Sequence, residues 1–163
     1  LEQIPGESMA ARLAAVDKVL NKNDEFPLYS NQYIPLTVKN VSILERFKIQ
    51  GRFDSLTSGG SILHINIDES CQLDPKQLKL FFDAALKTET VYWAINYVYV
   101  RCDNDHFFVG SSEAKKCPVC GSENLTNYTR VVGFITPVKN WIEVRREWEF
   151  KNRKFYGKND ALS

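Results

Sequence analysis

The spacing of apolar residues predicts two helices in the first third of the chain. A helix is predicted over residues 9–20, which are rich in alanine and place larger apolar side chains every three or four positions: Leu13, Val16 and Leu20. A second, shorter apolar pattern predicts an amphipathic helix over residues 42–50. Gly51 follows this pattern directly and is expected to end the helix.

A third helix is predicted to begin at Asp74-Pro75, because aspartate caps a helix N-terminus well and proline suits the first turn. The helix is expected to run to about Lys87. Its predicted buried side consists of five residues: Leu78, Phe81, Phe82, Ala85 and Leu86.

Three stretches are predicted to be strands: residues 32–36, 62–67 and 91–100. The last is the most strand-like, since it is dominated by aromatic and β-branched side chains. Pro35 restricts the first to the edge or end of a sheet. The order strand, helix, strand around the third helix predicts an α/β fold with right-handed crossover connections.

Composition narrows the function classes. The chain has 163 residues, 44% of them hydrophobic, and a net charge of +1, as expected for one core with a small added module. The balanced charge argues against direct nucleic-acid binding. Since no apolar run could span a membrane and no signal peptide is apparent, a cytoplasmic location is expected. Leu1-Glu2-Gln3-Ile4-Pro5 reads as the end of a strand entering a turn, so the chain is expected to be a fragment or one piece of a split protein.

Three cysteines and a histidine predict a metal site, in the pattern Cys-x3-His-x10-Cys-Pro-Val-Cys at Cys102, His106, Cys117 and Cys120. A closed set of thiolate and imidazole donors favours zinc in a structural role. Asp103 or Asp105 is an alternative to His106 as the fourth ligand. Clustered cysteines fit a metal in a reducing compartment better than disulfides, and Cys71 stands apart.

Gly133 interrupts the apolar run Val131-Val132-Gly133-Phe134-Ile135, which otherwise favours an extended backbone. Glycine in such a run loses backbone entropy and packs nothing, so a specific reason for it is expected. The pattern by itself is typical of a β-bulge or a close backbone approach.

Arg130-Val131-Val132-Gly133-Phe134 lies ten residues after the cysteine knuckle and is followed by Pro137-Val138 and Trp141. With these residues the chain resembles the C-terminal glycyl-radical segment of anaerobic (class III) ribonucleoside-triphosphate reductases. The resemblance implies that Gly133 carries a stable carbon radical inside an apolar wall formed by Val131, Val132, Phe134 and Ile135. Many reductases of this family use four cysteines for the metal, and His106 departs from that pattern.

The resemblance also implies a fold and a division of the chain. Residues 1–100 are expected to form the C-terminal part of a ten-stranded α/β barrel. Residues 101–126 are expected to form a zinc-ribbon module, and residues 127–163 the glycyl-radical loop and a C-terminal helix.

The function implied is the anaerobic reduction of ribonucleoside triphosphates to deoxyribonucleoside triphosphates. A separate radical S-adenosylmethionine activating enzyme is expected to generate the glycyl radical, which then oxidises a cysteine in the upstream part of the reductase. Cys71 does not match the surroundings of that cysteine, so the chain alone is expected to be inactive. Formate or a thioredoxin-like protein is the expected reductant, and the family implies a homodimer.

Two candidate substrate-binding features lie upstream of the metal pattern. The turn Pro5-Gly6-Glu7-Ser8-Met9 opens a helix, so it is either only a capped helix start or, as the resemblance favours, a site for substrate phosphates. His64 lies inside a predicted strand and is either a satisfied core histidine or a pocket residue. A similar Gly-Gly-x-x-x-His sequence in the family favours the pocket.

Residues 141–155 carry many charged side chains at three- and four-residue spacing, which predicts an exposed helix whose charges face solvent and whose tryptophans face inward. The Arg-Arg-Glu-Trp-Glu-Phe sequence is similar to the family's tail, and no catalytic role follows from it. Two alternatives for the whole chain are a zinc-ribbon binding module and a glycyl-radical enzyme of the pyruvate formate-lyase type.

Overall fold

The computed structural model describes residues 7–21 and 26–160 of the chain. The first three predicted helices are confirmed: α1 Glu7–Asn21, α2 Ile43–Asp54 and α3 Pro75–Lys87. Within this part of the chain, the apolar side chains that predicted α1 are about half exposed or more. Ala14 is the buried residue of the helix.

Both α2 and α3 begin with a capping box. Ser42 accepts a hydrogen bond from the backbone N–H of Glu45, whose carboxylate accepts one from the N–H of Ser42. Asp74 and Gln77 make the same reciprocal pair at the start of α3. These contacts satisfy free N–H groups of the first turn and define where each helix begins.

The prediction that Gly51 ends α2 is wrong, because the helix continues to Asp54 with Gly51 buried inside it. The bare Cα of Gly51 lies against the backbone carbonyl of Thr88, just after α3. A Cβ at this position would lie 1.5 Å from that oxygen. Glycine is therefore required for the close approach of α2 to the end of α3, and it tolerates the helical backbone at a modest cost.

Strands β1 Leu63–Asn66 and β2 Trp93–Asn96 pair in parallel, with α3 in the connection between them. The predicted strand, helix, strand order is thus confirmed. The core on this sheet contains Phe47 of α2, Phe81 of α3 and Ile65, with Trp93 packed edge-on against Phe47 at 5.6 Å. The described residues form a mixed helix and sheet structure, and the larger barrel stays a prediction.

The predicted buried side of α3 is only partly correct. Phe81, Ala84 and Ala85 are buried, whereas Phe82 and Leu86 are 59% and 79% exposed. In the described part of the chain, α2 and the parallel strands cover only one stripe of α3. A helical pattern shows which side chains are apolar but not how wide the covering surface is.

The predicted strand over residues 91–100 is in fact two strands in different sheets. After β2, Tyr97 interrupts the pairing, and β3 Val98–Cys102 enters an antiparallel sheet with three further strands: β4 Phe107–Gly110, β5 Leu125–Arg130 and β6 Ile135–Pro137. The strand order is β4-β3-β5-β6. Its core contains Val98, Val100 and Val131.

The predicted strand over residues 32–36 is wrong. These residues are irregular because the buried guanidinium of Arg46 binds the carbonyls that a sheet would use. It donates to the carbonyl oxygens of Ile34 at 2.8 Å and Pro35 at 3.2 Å. A charged donor bound to these oxygens competes with strand pairing.

The C-terminal charges are not all on a solvated face, which corrects the prediction for residues 141–155. A π-helical turn, Arg145–Glu149, continues into the short helix α4 Phe150–Asn152. Glu149 is buried between the guanidinium groups of Arg145 and Arg153, which are also buried. Burial alone raises the pKa of Glu149, but both arginines outweigh burial and hold that pKa below its ordinary value.

Beyond α4 the chain returns to the parallel sheet. Tyr156 donates its N–H to the carbonyl of Asn66 at 2.9 Å and accepts from the N–H of Asp68 at 3.0 Å. The C-terminal segment therefore joins the two sheets into one body. In the part of the chain that the structure describes, no helix has the length and apolarity needed to cross a membrane.

Candidate metal centre and glycine loop

The first pair of candidate metal ligands lies in the turn between β3 and β4. Cys102 donates its N–H to the carbonyl of His106 at 3.1 Å, and Asp105 donates to the carbonyl of Cys102 at 3.1 Å. Asp105 has a φ of 62°, a left-handed conformation that aspartate tolerates better than most residues. This tight turn brings the thiol of Cys102 and the imidazole of His106 to the same side.

The second pair lies in the Cys-Pro-Val-Cys-Gly knuckle. Gly121 donates its N–H to the carbonyl of Cys117 at 2.9 Å and has a φ of 73°, which favours glycine. Cys117 in turn donates to the carbonyl of Ser122 at 2.8 Å. The knuckle therefore returns sharply and presents both of its thiols toward the β3–β4 turn.

The structure brings the four candidate ligands together: one donor atom from each of Cys102, His106, Cys117 and Cys120 lies within 4.8 Å of the others. Cys102 Sγ is 3.4 Å from His106 Nδ1 and 3.8 Å from Cys120 Sγ. A tetrahedron with Zn–S of about 2.3 Å and Zn–N of about 2.0 Å has edges of roughly 3.5–3.8 Å. The donor set therefore fits zinc.

The two aspartates considered as alternatives to His106 are engaged elsewhere. Asp103 accepts a hydrogen bond from the hydroxyl of Ser122 at 2.5 Å, and Asp105 pairs with Arg101 at 2.7 Å. Asn104 points its Nδ2 at Cys120 Sγ, 3.4 Å away. This hydrogen bond is the largest of several, including one from the backbone of Ser122, that together lower the pKa of Cys120 to about 6 against the effect of burial. Burial raises the pKa of Cys102.

The candidate metal cluster and the Gly133 loop lie at opposite ends of β5. Leu125 begins the strand opposite Cys102, and Arg130 ends it. A strand of six residues spans about 20 Å, so the cluster and the loop are not in contact.

The apolar wall predicted around Gly133 is absent from the described part of the chain. Val131 is buried, but Gly133 is exposed, and Phe134 is 73% exposed. A Cβ on Gly133 would meet no described atom within 4 Å, and its φ is not in the left-handed region. Neither crowding nor backbone strain among the described residues therefore explains the glycine. The suggested close approach of another backbone segment to Gly133 is not found among the described residues.

A cleft of about 410 Å³ opens beside Gly133. Its other walls include the Gly59-Gly60 turn and Tyr92, which immediately precedes β2. The structure thus places one flank of the glycine next to the parallel strands, where a further segment or a ligand has room.

His64 lies in the core between the sheets and is not among the residues that line this cleft. Its Nδ1 is 2.9 Å from Asn96 Nδ2, whereas its buried Nε2 has no hydrogen-bond partner in the described structure. Burial, then the charges of Arg153 and Arg130, lower the pKa of His64 to about 3, with Glu149 opposing them. The histidine is therefore neutral at physiological pH.

His64 should make the chain less stable in mild acid. The imidazole of His64 binds a proton near its ordinary pKa of 6.5 in the unfolded chain but only near 3 in the folded chain. The neutral imidazole therefore contributes its full stabilisation above pH 6.5, and this contribution declines as the pH falls. Between pH 8 and 5.5 we expect a loss of about 1.4 kcal/mol, measured by urea unfolding. The His64→Gln variant, which cannot titrate, is the control. Equal pH slopes for both proteins would contradict the assignment.

The predicted phosphate-binding turn lies largely outside the described residues. Pro5 and Gly6 precede them, and nothing is described of the side chain of Glu7, where α1 begins. Ser8 and Met9 are exposed in the first turn of that helix. A phosphate site at this turn stays a prediction.

Three residues around the glycine loop were not singled out from the sequence as functional. Two of them donate hydrogen bonds to loop carbonyls: Arg130 to that of Gly133 and Asn31 to that of Val131. The third, Asn96, accepts a hydrogen bond from Arg130. Only Arg130 carried a signal, since it belongs to the motif around Gly133. Asn31 is 100 residues from its partner Val131, which no local pattern reveals.

Comparison with solved structures identifies the class of protein as ribonucleotide reductase. An anaerobic ribonucleotide reductase superposes on 96% of this chain with a TM-score of 0.82 and 36% sequence identity, using 24% of its own length. The Thermotoga maritima anaerobic ribonucleotide reductase solved with dATP and CTP matches 90% of this chain with 23% of its own, at 35% identity and a TM-score of 0.72. The same enzyme solved with glycerol in the active site matches 91% of this chain with 24% of its own length, at 35% identity and a TM-score of 0.73.

A family model described as anaerobic ribonucleoside-triphosphate reductase matches residues 1–156. The chain belongs to this family. It spans about a quarter of the length of the solved relatives. A comparison with curated protein sequences finds no match. Family membership favours the reductase over both the zinc-ribbon binding module and the pyruvate formate-lyase type of enzyme.

Proposed function

We propose that this chain is the radical-carrying part of an enzyme that reduces ribonucleoside triphosphates to deoxyribonucleoside triphosphates under anaerobic conditions. The observation that carries the proposal is Gly133. It lies within the segment matched by the family model, and the described structure offers neither steric crowding nor a left-handed φ as a reason for glycine. A chemical requirement for a bare Cα accounts for both observations.

The chemistry of glycine suits a stored radical. When one hydrogen atom leaves the Cα of Gly133, the planar radical meets no Cβ, and the unpaired electron is shared with the adjoining amide nitrogen and carbonyl. The partner that would remove the hydrogen is a radical S-adenosylmethionine activating enzyme, which would supply the iron–sulfur chemistry for cleaving S-adenosylmethionine. The exposure of Gly133 in this chain is compatible with access by that partner.

The four residues Cys102, His106, Cys117 and Cys120 would hold zinc, which supplies a structural cross-link when bound. All four tetrahedral positions would be taken by side chains, so no substrate position is left. The role of this module, residues 101–126, is to anchor β5 and so to direct the loop in residues 127–163. Residues 1–100 would contribute to the catalytic barrel, with the first helical turn and His64 as its substrate-side features.

The remaining parts of the reaction lie with other partners. The upstream part of the reductase would supply the cysteine that Gly133 oxidises to a thiyl radical, since Cys71 is buried under α3 and Tyr97 and is not beside the glycine loop. Formate or a thioredoxin-like protein would supply the electrons, and the enzyme would act as a homodimer. The parallel strands near the loop are compatible with an active site on that side.

The direct test is electron paramagnetic resonance of a complete reductase polypeptide carrying this sequence, after anaerobic incubation with the activating enzyme and S-adenosylmethionine. We expect a doublet, because one hydrogen remains on the Cα of Gly133. Incorporation of glycine deuterated at Cα should collapse the doublet to one line, and air should then cleave the chain at residue 133. A mixture that cleaves S-adenosylmethionine and gives no signal would return Gly133 to a structural role and favour the zinc-ribbon module.

A further inference from the structure

The guanidinium group of Arg130 bridges the glycine loop and the parallel sheet. Its Nε donates to the carbonyl oxygen of Gly133 at 3.1 Å. Its Nη1 donates to Asn96 Oδ1 at 2.8 Å and to the carbonyl of Ile95 at 3.3 Å. One planar group therefore ties the carbonyl of the candidate radical residue to the carboxyl end of β2.

The Asn96 end of this bridge is rigid. Asn96 is 2% exposed, and its Nδ2 faces His64 Nδ1 at 2.9 Å and Asn66 Oδ1 at 3.4 Å. Because Arg130 can only donate, the oxygen of the Asn96 amide must face it and the nitrogen must face His64. The amide cannot rotate without placing its nitrogen against a cation, so it holds Arg130 in a single orientation.

The backbone of Arg130 is held as well. Its carbonyl accepts a hydrogen bond from Arg153 at 2.9 Å, and Arg153 is fixed in the buried ion triad with Glu149. On the other side of the loop, Asn31 Nδ2 donates to the carbonyl of Val131 at 2.5 Å. Val131 packs into the core of the antiparallel sheet, whereas Gly133 and Phe134 are exposed. The contact of Arg130 to the Gly133 carbonyl therefore holds the exposed part of this loop.

We propose that Arg130 is a positioning residue for Gly133, a role that rests on the proposed radical function. Its contact fixes the plane of the peptide that begins at the Gly133 carbonyl. The same carbonyl shares the unpaired electron, so a hydrogen bond from a cation stabilises the radical and shapes its spin distribution. Lysine cannot replace Arg130, because a single ammonium group lacks the fork that reaches Gly133 and Asn96 together.

The test compares wild type, Arg130→Lys and Arg146→Lys in a complete reductase polypeptide carrying this sequence. Arg146 is the matched control: it also binds one side chain, Glu147, and backbone carbonyls, away from Gly133. Removing a hydrogen bond from a charged group should lower nucleotide turnover per spin about tenfold in Arg130→Lys. The splitting of the radical doublet should also change, and Arg146→Lys should match wild type in both measurements.

A second measurement needs no variant. Arginine labelled with ¹⁵N in the wild-type enzyme should show an Nε nucleus coupled to the radical in electron–nuclear double resonance, with an exchangeable proton that disappears in D₂O. An Arg130→Lys doublet and turnover equal to wild type, or a wild-type radical without this coupling, would overturn the role of Arg130 alone. A wild-type enzyme without any doublet would overturn the proposed radical function, and the role of Arg130 with it.

Discussion

Replacing Gly133 with alanine is expected to abolish the radical and all nucleotide reduction while leaving the fold intact. The radical form needs a Cα without a Cβ, and a methyl group would obstruct both its planar geometry and the approach of the activating enzyme. The folded chain has no such need, since a Cβ here meets no described atom within 4 Å and φ is not positive. The free energy of unfolding should therefore change by less than about 1 kcal/mol.

This separation of activity from stability is measured by anaerobic turnover and spin count beside urea unfolding. Gly157→Ala is the matched control, because the nearest atom to its Cβ is a side-chain oxygen of Asp160 at 3.8 Å and its φ is not left-handed either. It should keep both activity and stability. Turnover in the Gly133→Ala variant would contradict the radical function, whereas a loss of several kcal/mol would show that the glycine has a structural purpose.

Removal of the metal is expected to have the largest effect on stability. Structural zinc sites contribute on the order of 10 kcal/mol, comparable with the whole stability of a typical domain. Without a cation, three thiols and an imidazole would be left within 4.8 Å of one another, at the end of β3 and in the two turns that precede β4 and β5. Cys117→Ser should reduce bound zinc from one per chain to almost none, expose residues 101–126 to proteases and lower the radical yield by misplacing β5.

Cys71→Ser is the matched control for this variant, because Cys71 is equally buried but lies in the core of the parallel sheet. It should keep one zinc per chain and the proteolytic resistance of the module. Zinc content is measured by atomic emission and the cleavage sites by mass spectrometry. A Cys117→Ser chain that still holds one zinc would show that the four residues are not the ligand set.

Several local features were predictable from the sequence because they depend on residues close together in the chain. The caps at Ser42 and Asp74 each need a partner three residues away. The knuckle needs a Cys-x-x-Cys spacing and a glycine that accepts a left-handed φ. The crossover of α3 follows from two strand-like stretches separated by a helix.

Other predictions were wrong because the contacts that decide them cannot be read from the apolar and polar pattern of the segment. Gly51 stays within α2 because Thr88, at the far end of α3, needs its bare Cα. Residues 32–36 are irregular because Arg46 donates hydrogen bonds to the carbonyls of Ile34 and Pro35. Part of the C-terminal charge run is buried because Glu149 pairs with arginines four residues away on either side.

By itself the sequence determined where the capped helices begin, which residues are candidate metal ligands and which glycine is the candidate radical residue, because each of these depends on residue type and short spacing. Only the tertiary structure decided that four ligands from two separate turns meet and that residues 91–100 divide between two sheets. It also decided that Arg130 joins Gly133 to Asn96, which lies 34 residues before Arg130 in the chain. Such contacts depend on how elements pack, and packing brings together side chains whose separation along the chain carries no local signal.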